Sequence, residues 1–328
     1  MAGPGVSAAT YFGKVPSRGD FIKGGGHAQL IHMLDAWVSR AMERMSEDPC
    51  WKIVYDNAPQ LSFAFVGARS PLAIAGHLRP SHDAATRRFP FLAAAAIDRD
   101  DHPLFQCAPL SFTRLWSRFR GVVNRACAAD DPSGVLREVS DIDCGEEIRL
   151  GMVGDPLGQF TRTRTLHCLA DLLVSPLRPI DVRRIILAFG LLLRPLRDHR
   201  KLTIEKDLSV PLPADPMYRD LVAALWLYLV SAFVRHTDSE LQVLVGGIRG
   251  HERMVIGFNG ASPHTLLNLL SPATVGEANI MLDDPEWVED HHDLRHDYGV
   301  ARLSSYLARQ AITLETVVLT FREVFLGE

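Results

Sequence analysis

The sequence predicts an α/β protein in two parts: a compact α/β unit to about residue 130, then a helix-rich α+β part that carries a β-hairpin. Three patterns carry this expectation. An amphipathic helical stripe at residues 29–45 is followed by a strand, turn and strand at 61–81 and by a second helical stripe from Ser111. Residues 241–263 hold two β-rich runs around "RGHE", a hairpin pattern. Helical stripes flank that hairpin at 181–194, 216–235 and 299–326.

Each element has its own reason. In 29–45, Leu30, Ile31, Leu34, Trp37, Val38, Ala41, Met42 and Met45 fall on one face, with charges opposite. "RFPFLAAAAI", 88–97, reads as a third strand. Phe112, Leu115, Trp116, Phe119, Val122, Val123 and Ala126 recur at helical spacing, with Ser111 as N-cap. "AADDPSGV" (128–135) and "VGDPLGQFTRTRT" (153–165) are rich in breakers, so the division reads as 1–130, a linker region 131–160, and a C-terminal extension domain 161–328. Asp181 caps a stripe of Val182, Ile185, Ile186, Phe189 and Leu193 that Pro195 is expected to stop. Asp215-Pro216 supplies an N-cap and an N1 proline for an apolar helix ending near Arg235 and His236. The longest apolar run of that helix is 221–234. As helix it spans only ~21 Å, short of a hydrocarbon core of ~30 Å, so it reads as buried rather than inserted in a membrane. The pattern of 241–263 also resembles that of 61–81, as in a duplicated architecture.

Composition narrows the functional classes. Hydrophobic residues make up 47% of the 328 and charged residues 23%. That is a globular composition, not a disordered one. A net charge of -4 gives no general field for nucleic acid or anionic lipid. "MAGPGVSAAT" lacks the regions of a signal peptide, so a cytoplasmic location is expected. Cys50, Cys107, Cys127, Cys144 and Cys168 are odd in number and lack C-x-x-C spacing, so they read as reduced, small core residues.

Most local clusters have a bland reading. Arg18-Gly19-Asp20 reads as a turn rather than an adhesion tripeptide. "KGGGH", 23–27, reads as a flexible approach to a helix rather than a phosphate cradle, although bare N–H groups there suit an anion. Arg114, Arg118 and Arg125 form a modest, solvated basic face. His291, His292 and His296 lie among acids, and His292 and His296 stand at i, i+4 as zinc ligands do. The segment is not H-E-x-x-H, because Asp293 stands where the Glu would, and no third ligand is apparent. A metal-dependent hydrolase using these histidines is the alternative function; no metal, cofactor or catalytic residue is assigned.

One stretch answers to more than composition. "YFGKVPSRGDFI", from residue 11, resembles the [WY]-[FY]-G-K-[LV]-P-x-x-G-D-F signature that opens the TagF (ImpM) family of type VI secretion system-associated proteins. "GHLRPSHDAATRRFPF", 76–91, is similar to a second signature of that family, with Gly76, Leu78, Pro80, Ser81, Asp83, Arg87, Phe89 and Pro90 in place. Trp37 lies on the helix where the family has its own Trp run. Ile74 stands where the family has a Trp, and Thr86 where it has a Gly. "VPLPADPMYRDLVAALWLYLVSAF" and "VIGFNGASPHTL" resemble the longer form, which has a C-terminal extension.

The resemblance implies an N-terminal αβα sandwich on a central sheet. It also implies a non-enzymatic, post-translational repressor of secretion-system assembly or activation that works by protein–protein binding. The implied partner is the forkhead-associated scaffold of the system, with a functional link to a threonine kinase and phosphatase and no phosphatase half in this chain. The candidate binding residues are those of the two signatures: Lys14, Pro16, Ser17, Gly19, Asp20, Phe21, Pro80, Ser81, Asp83, Arg87, Phe89 and Pro90. Both runs form loops beside strands, and a partly buried ion pair between Asp20 and Arg87 or Arg88 is expected to tie them together. Whether those residues serve as binding surface or as structural glue stays open at this point.

Overall fold

In order, the chain forms β1 (Thr10–Gly13), β2 (Ile22–Gly24), α1 (Ala28–Met45), α2 (Trp51–Asp56), β3 (Leu61–Gly67), β4 (Leu72–Arg79), β5 (Phe91–Asp98), α3 (Leu104–Ala128), α4 (Ser133–Ser140), α5 (Cys144–Gly151), α6 (Pro156–Thr163), α7 (Leu166–Leu172) and α8 (Val182–Asp198). It continues as β6 (Asp207–Pro211), α9 (Pro216–Val234), β7 (Glu240–Ile248), β8 (His251–Gly257), α10 (Pro263–Leu270), β9 (Asn279–Met281), α11 (His292–His296), α12 (Tyr298–Leu307) and α13 (Leu314–Leu326). This computed structural model describes residues 8–98, 104–175, 178–198, 204–235, 237–248, 251–271, 279–309 and 311–328.

Among the described residues, the strands make one nine-stranded sheet, in the order β2-β1-β5-β4-β3-β7-β8-β6-β9. Neighbours are antiparallel except β6 and β9, which are parallel. Side chains alternate along each strand, so the two faces enter two cores. On β3, Ala64 and Val66 enter one core while Leu61, Phe63 and Phe65 enter the other. On β5, Phe91, Ala93, Ala95 and Ile97 face the side of α3, α8 and α9; Leu92, Ala94 and Ala96 face the side of α1 and α10. β5 is thus buried on both faces, and its run of small alanine side chains lies between the two helix layers. The result is an αβα sandwich to which the helix-rich C-terminal half contributes the β7–β8 hairpin and the helices α8, α9 and α10. The β3–β4 and β7–β8 hairpins lie side by side, with β3 against β7 along its whole length.

Three tryptophans anchor these layers. Trp37 Nε1 donates to the Ser262 carbonyl, Trp116 Nε1 to that of Phe63 and Trp226 Nε1 to that of Pro211, each at 3.1 Å. Each is a buried ring with its one polar atom satisfied.

Several expectations change. Ser111 is not a cap: α3 is helical from Leu104, because Phe105 and Ala108 extend the buried stripe and carry the helix past Pro109. Pro195 does not stop α8, which runs to Asp198; Leu196 is buried, and Arg197 Nη1 donates to the Phe325 carbonyl at 3.1 Å. Asp181 does cap α8, accepting from the Arg184 N–H at 3.0 Å. α9 starts on Asp215-Pro216 as read, and its C-cap is Arg235; His236 lies outside the described residues. The whole of α9 is 19 residues long. At the ordinary helical rise that is ~28 Å, so the length argument against a span fails. By length and composition α9 qualifies, but Val222, Leu225, Trp226 and Leu229 are packed into the protein core. Residues 131–160 hold α4, α5 and the start of α6. Cys50 is exposed, not a core residue, and the Cys107 side chain lies outside the described set.

Candidate functional site

The two signatures meet as neighbouring strands. Gly13 stands opposite Phe91 and Phe12 opposite Leu92 in the β1–β5 register. Gly13 has a φ of +129°, and a Cβ there would overlap the Pro90 carbonyl oxygen. This position therefore requires glycine. After β1 the chain turns, with the Arg18 N–H donating to the Val15 carbonyl at 3.1 Å.

Asp83 ties the loops together. Its side chain is 0% exposed. Oδ1 accepts from the backbone N–H groups of Ala85 at 3.0 Å and Arg87 at 2.9 Å. Oδ2 accepts from Arg87 Nε at 2.7 Å and Lys14 Nζ at 2.9 Å. Arg87 reaches on to the first loop, where Nη2 donates to the Gly19 carbonyl at 2.6 Å. The Ala84 N–H donates to the Arg18 carbonyl at 2.8 Å. Burial alone would raise the Asp83 carboxyl, but the bonds from Lys14 and Arg87 outweigh it and hold the group well below the usual carboxylate range.

This corrects the expected ion pair. The loops of Asp20 and Arg87 do lie together, but Asp20 is exposed, and its Oδ1 accepts from the Phe21 N–H at 2.8 Å. Arg88 instead grips Asp56 on α2 with two bonds, 2.7 and 2.6 Å. The physical reason is desolvation: Asp83 sits on the arginine's own loop, away from water, where an unpaired charge costs most.

Beside this tie lies an aromatic cluster. Phe12 and Phe21 are stacked at 5.5 Å, and Phe89 meets both edge-on, at 5.6 and 4.8 Å. The Lys14 ammonium lies 4.8 Å from the Phe21 ring centroid, within cation–π range. Phe21 is nonetheless 44% exposed.

The twelve candidate residues therefore divide. Lys14, Ser81, Asp83, Phe89 and Pro90 are buried and act as glue. Gly19, Asp20, Phe21 and Arg87 are exposed, and Pro16, Ser17 and Pro80 half-exposed, so these seven form the outer surface. Sequence reading missed Tyr55, whose hydroxyl donates to the Ser81 carbonyl at 3.0 Å and accepts from its N–H at 2.9 Å. It also missed Asp131, which pairs with Arg18 at 2.7 Å. Neither stands in a signature, so no local signal marked them.

The other clusters are accounted for structurally. Arg18, of the Arg-Gly-Asp tripeptide, is held by Asp131 and by the Ser133 hydroxyl at 3.0 Å. In "KGGGH", Gly25 has a φ of +103° and His27 Nδ1 caps α1 by accepting from the Leu30 N–H at 3.1 Å. Arg114 and Arg118 both bond Glu147, at 3.0 and 2.8 Å, and Arg125 pairs with Glu138, so the basic face is matched by α4 and α5. His292 and His296 rings lie 4.3 Å apart, while His291 accepts from the Asp293 N–H at 3.2 Å. Among the described residues, no group of three or more His, Cys, Asp or Glu side chains is placed to hold a metal ion.

Residues 10–140 match the TagF N-terminal domain, described as type VI secretion system-associated. The chain therefore carries a TagF N-terminal domain. The TagF domain thus covers both signatures, from β1 through α4, and links the protein to type VI secretion. Among solved structures, the chain is similar to PA0076 from Pseudomonas aeruginosa PAO1 at 20% identity and a TM-score of 0.35, over 40% of this chain and 61% of that one. It thus spans less than two thirds of PA0076's length. Comparison with curated proteins found no match.

Proposed function

We propose that this TagF-domain protein is a non-enzymatic, post-translational repressor of type VI secretion that binds a component of the machine in the cytoplasm. The carrying observation is the fusion of the two signature loops, through buried Asp83, into one preorganised surface that leaves Phe21 exposed. A rigid aromatic above a buried cation suits an interface anchor, because little entropy is lost when it docks. The expected partner is the forkhead-associated scaffold, within the kinase and phosphatase circuit. Repression on this reading needs only steric occupation: an interface of ~1,600 Å² covering a surface that assembly requires.

The test pairs binding with secretion. Phe21→Asp should keep the wild-type circular dichroism spectrum yet weaken capture of the scaffold by ~2 kcal/mol or more. The same strain should release the tube protein as a gene deletion does. Unchanged secretion in both the deletion and an overexpressing strain, where the system is competent, would overturn the regulatory reading.

A further inference from the structure

A cavity of ≈ 270 Å³ lies between the sheet and helices α3 and α9, away from the signature loops. Its size is near the lower end of small-molecule pockets, about 300 Å³. Its floor is one transverse row of the sheet. Ser62 stands opposite His77 on β4 and opposite Val245 on β7. Elsewhere this face of these strands presents Ala64, Val66, Ala75 and Val243. Here the apolar pattern breaks, at positions where burying polar groups costs free energy.

The floor is hydrogen-bonded and neutral. Ser62 Oγ and His77 Nδ1 are 3.0 Å apart, and His77 Nε2 is 3.3 Å from Gln60 Oε1. A proton on Nε2 facing the Gln60 oxygen leaves Nδ1 to accept from the Ser62 hydroxyl. Burial, with Arg120 and Arg79 nearby, pushes the His77 imidazole down to about 3, so it stays uncharged. Such a weak base suits recognition rather than proton abstraction.

The charges stand at the walls. Arg219 is occupied: it donates to the Pro213 and Ala214 carbonyls and lies 3.3 Å from Glu252. Arg120 on α3 and Asp220 on α9 line the same cavity, yet among the described residues neither makes an ion pair. Arg120 has no hydrogen-bond partner among them either. Burial raises the Asp220 carboxyl, against the Thr113 hydroxyl and the Arg219 and Arg120 charges that lower it. A cation placed beside it would offset the effect of burial and favour the carboxylate form. A guanidinium and a carboxyl without ion-pair partners, held apart over a neutral floor and beside Trp116, complement a molecule that carries both opposite charges.

We infer that this cavity binds a small zwitterion, an α-amino acid, with its carboxylate on Arg120 and its ammonium on Asp220. The Ser62–His77 floor contacts its polar atoms. Elements on both sides of residue 140 supply these groups, so occupation joins the TagF domain to the C-terminal half and stabilises the whole chain by mass action.

The test uses the full chain and the common α-amino acids one at a time, by thermal shift and calorimetry. Acetate, ethylammonium and inorganic phosphate serve as single-charge probes. One or more amino acids should raise Tm with saturable, one-to-one binding, and each single-charge probe should bind at least about tenfold more weakly. Arg120→Gln, at an exposed position, should fold normally and lose at least about tenfold in affinity. Gly247→Val should block the site sterically, because a Cβ there meets nothing nearer than Glu252 Oε1 at 3.7 Å and the rest of the side chain enters the cavity. No binding by any amino acid at millimolar concentration would overturn the inference. So would equal binding of phosphate or acetate, or undiminished affinity in Arg120→Gln.

Discussion

The Lys14 ammonium and the Asp83 carboxylate lie 2.9 Å apart, both buried, at the point where the two TagF signatures touch. This contact, not an exposed Asp20–Arg87 pair, holds the candidate surface in shape. Asp83→Asn leaves the buried Lys14 cation without its counter-ion and should lower Tm by several degrees. The acid limb gives a sharper reading. The folded-state Asp83 carboxyl is depressed below its unfolded value of 3.8, so its stabilisation is present above that value and is lost as pH falls toward the folded one. Wild type should lose stability below about pH 4 more steeply than Asp83→Asn. Parallel acid limbs in urea melts of the two proteins would refute this.

Thr86 has a φ of +61°, the one described non-glycine residue in the left-handed region, at the position where the resemblance to the second signature leads to an expectation of glycine. A β-branched residue there costs about 1–2 kcal/mol, against about 0.5–1 kcal/mol of extra chain entropy for glycine. Thr86→Gly should therefore stabilise by about 0.5–1 kcal/mol, while Thr86→Ala, which keeps a Cβ, should gain less. Denaturant midpoints decide it; a destabilised glycine variant would show that the Thr86 hydroxyl bond to the Ala85 carbonyl matters more than the strain.

Asp207 on β6 is buried and accepts from the Thr265 hydroxyl at 3.1 Å and from the Asn268 amide. Burial pushes its carboxyl up to about 6, against the two hydrogen bonds that lower it. Its folded form therefore holds the proton more tightly than the unfolded chain. The resulting stabilisation is full below the unfolded value and is lost as pH rises through about 6, of order 2–3 kcal/mol in all. Urea midpoints should fall from about pH 4 to pH 7 in wild type and stay flatter in Asp207→Asn. The opposite slope would mean the carboxylate is better solvated than its surroundings indicate.

The TagF domain and the C-terminal half share a sheet edge. β3 pairs with β7 from Leu61–Gly246 to Gly67–Glu240. A fragment ending at residue 140 would leave β3 as a bare, apolar edge, which favours pairing between copies. Light scattering should show the fragment associating while the full chain does not. A monomeric, cooperatively folding fragment would favour the independent N-terminal domain that the breaker-rich stretch at 128–135 suggested.

What the sequence determined by itself was local or periodic. The stripe of Leu30, Leu34, Trp37 and Met45 made α1, Asp215-Pro216 opened α9, and the runs around 249–252 made a hairpin, because spacing and capping act within a few residues. The two signatures were readable as loops for the same reason. β1, β2, β6 and β9 were not legible: they are short, and only a neighbouring strand makes them strands. The tertiary structure alone decided that Asp83 rather than Asp20 takes Lys14 and Arg87, that Pro195 lies inside a helix, and that Ser62, His77, Arg120 and Asp220 share one cavity. The physical reason is common to all three. The partner of a charge or a backbone group depends on which groups lose water together, and burial is set by the packing of elements distant in the chain.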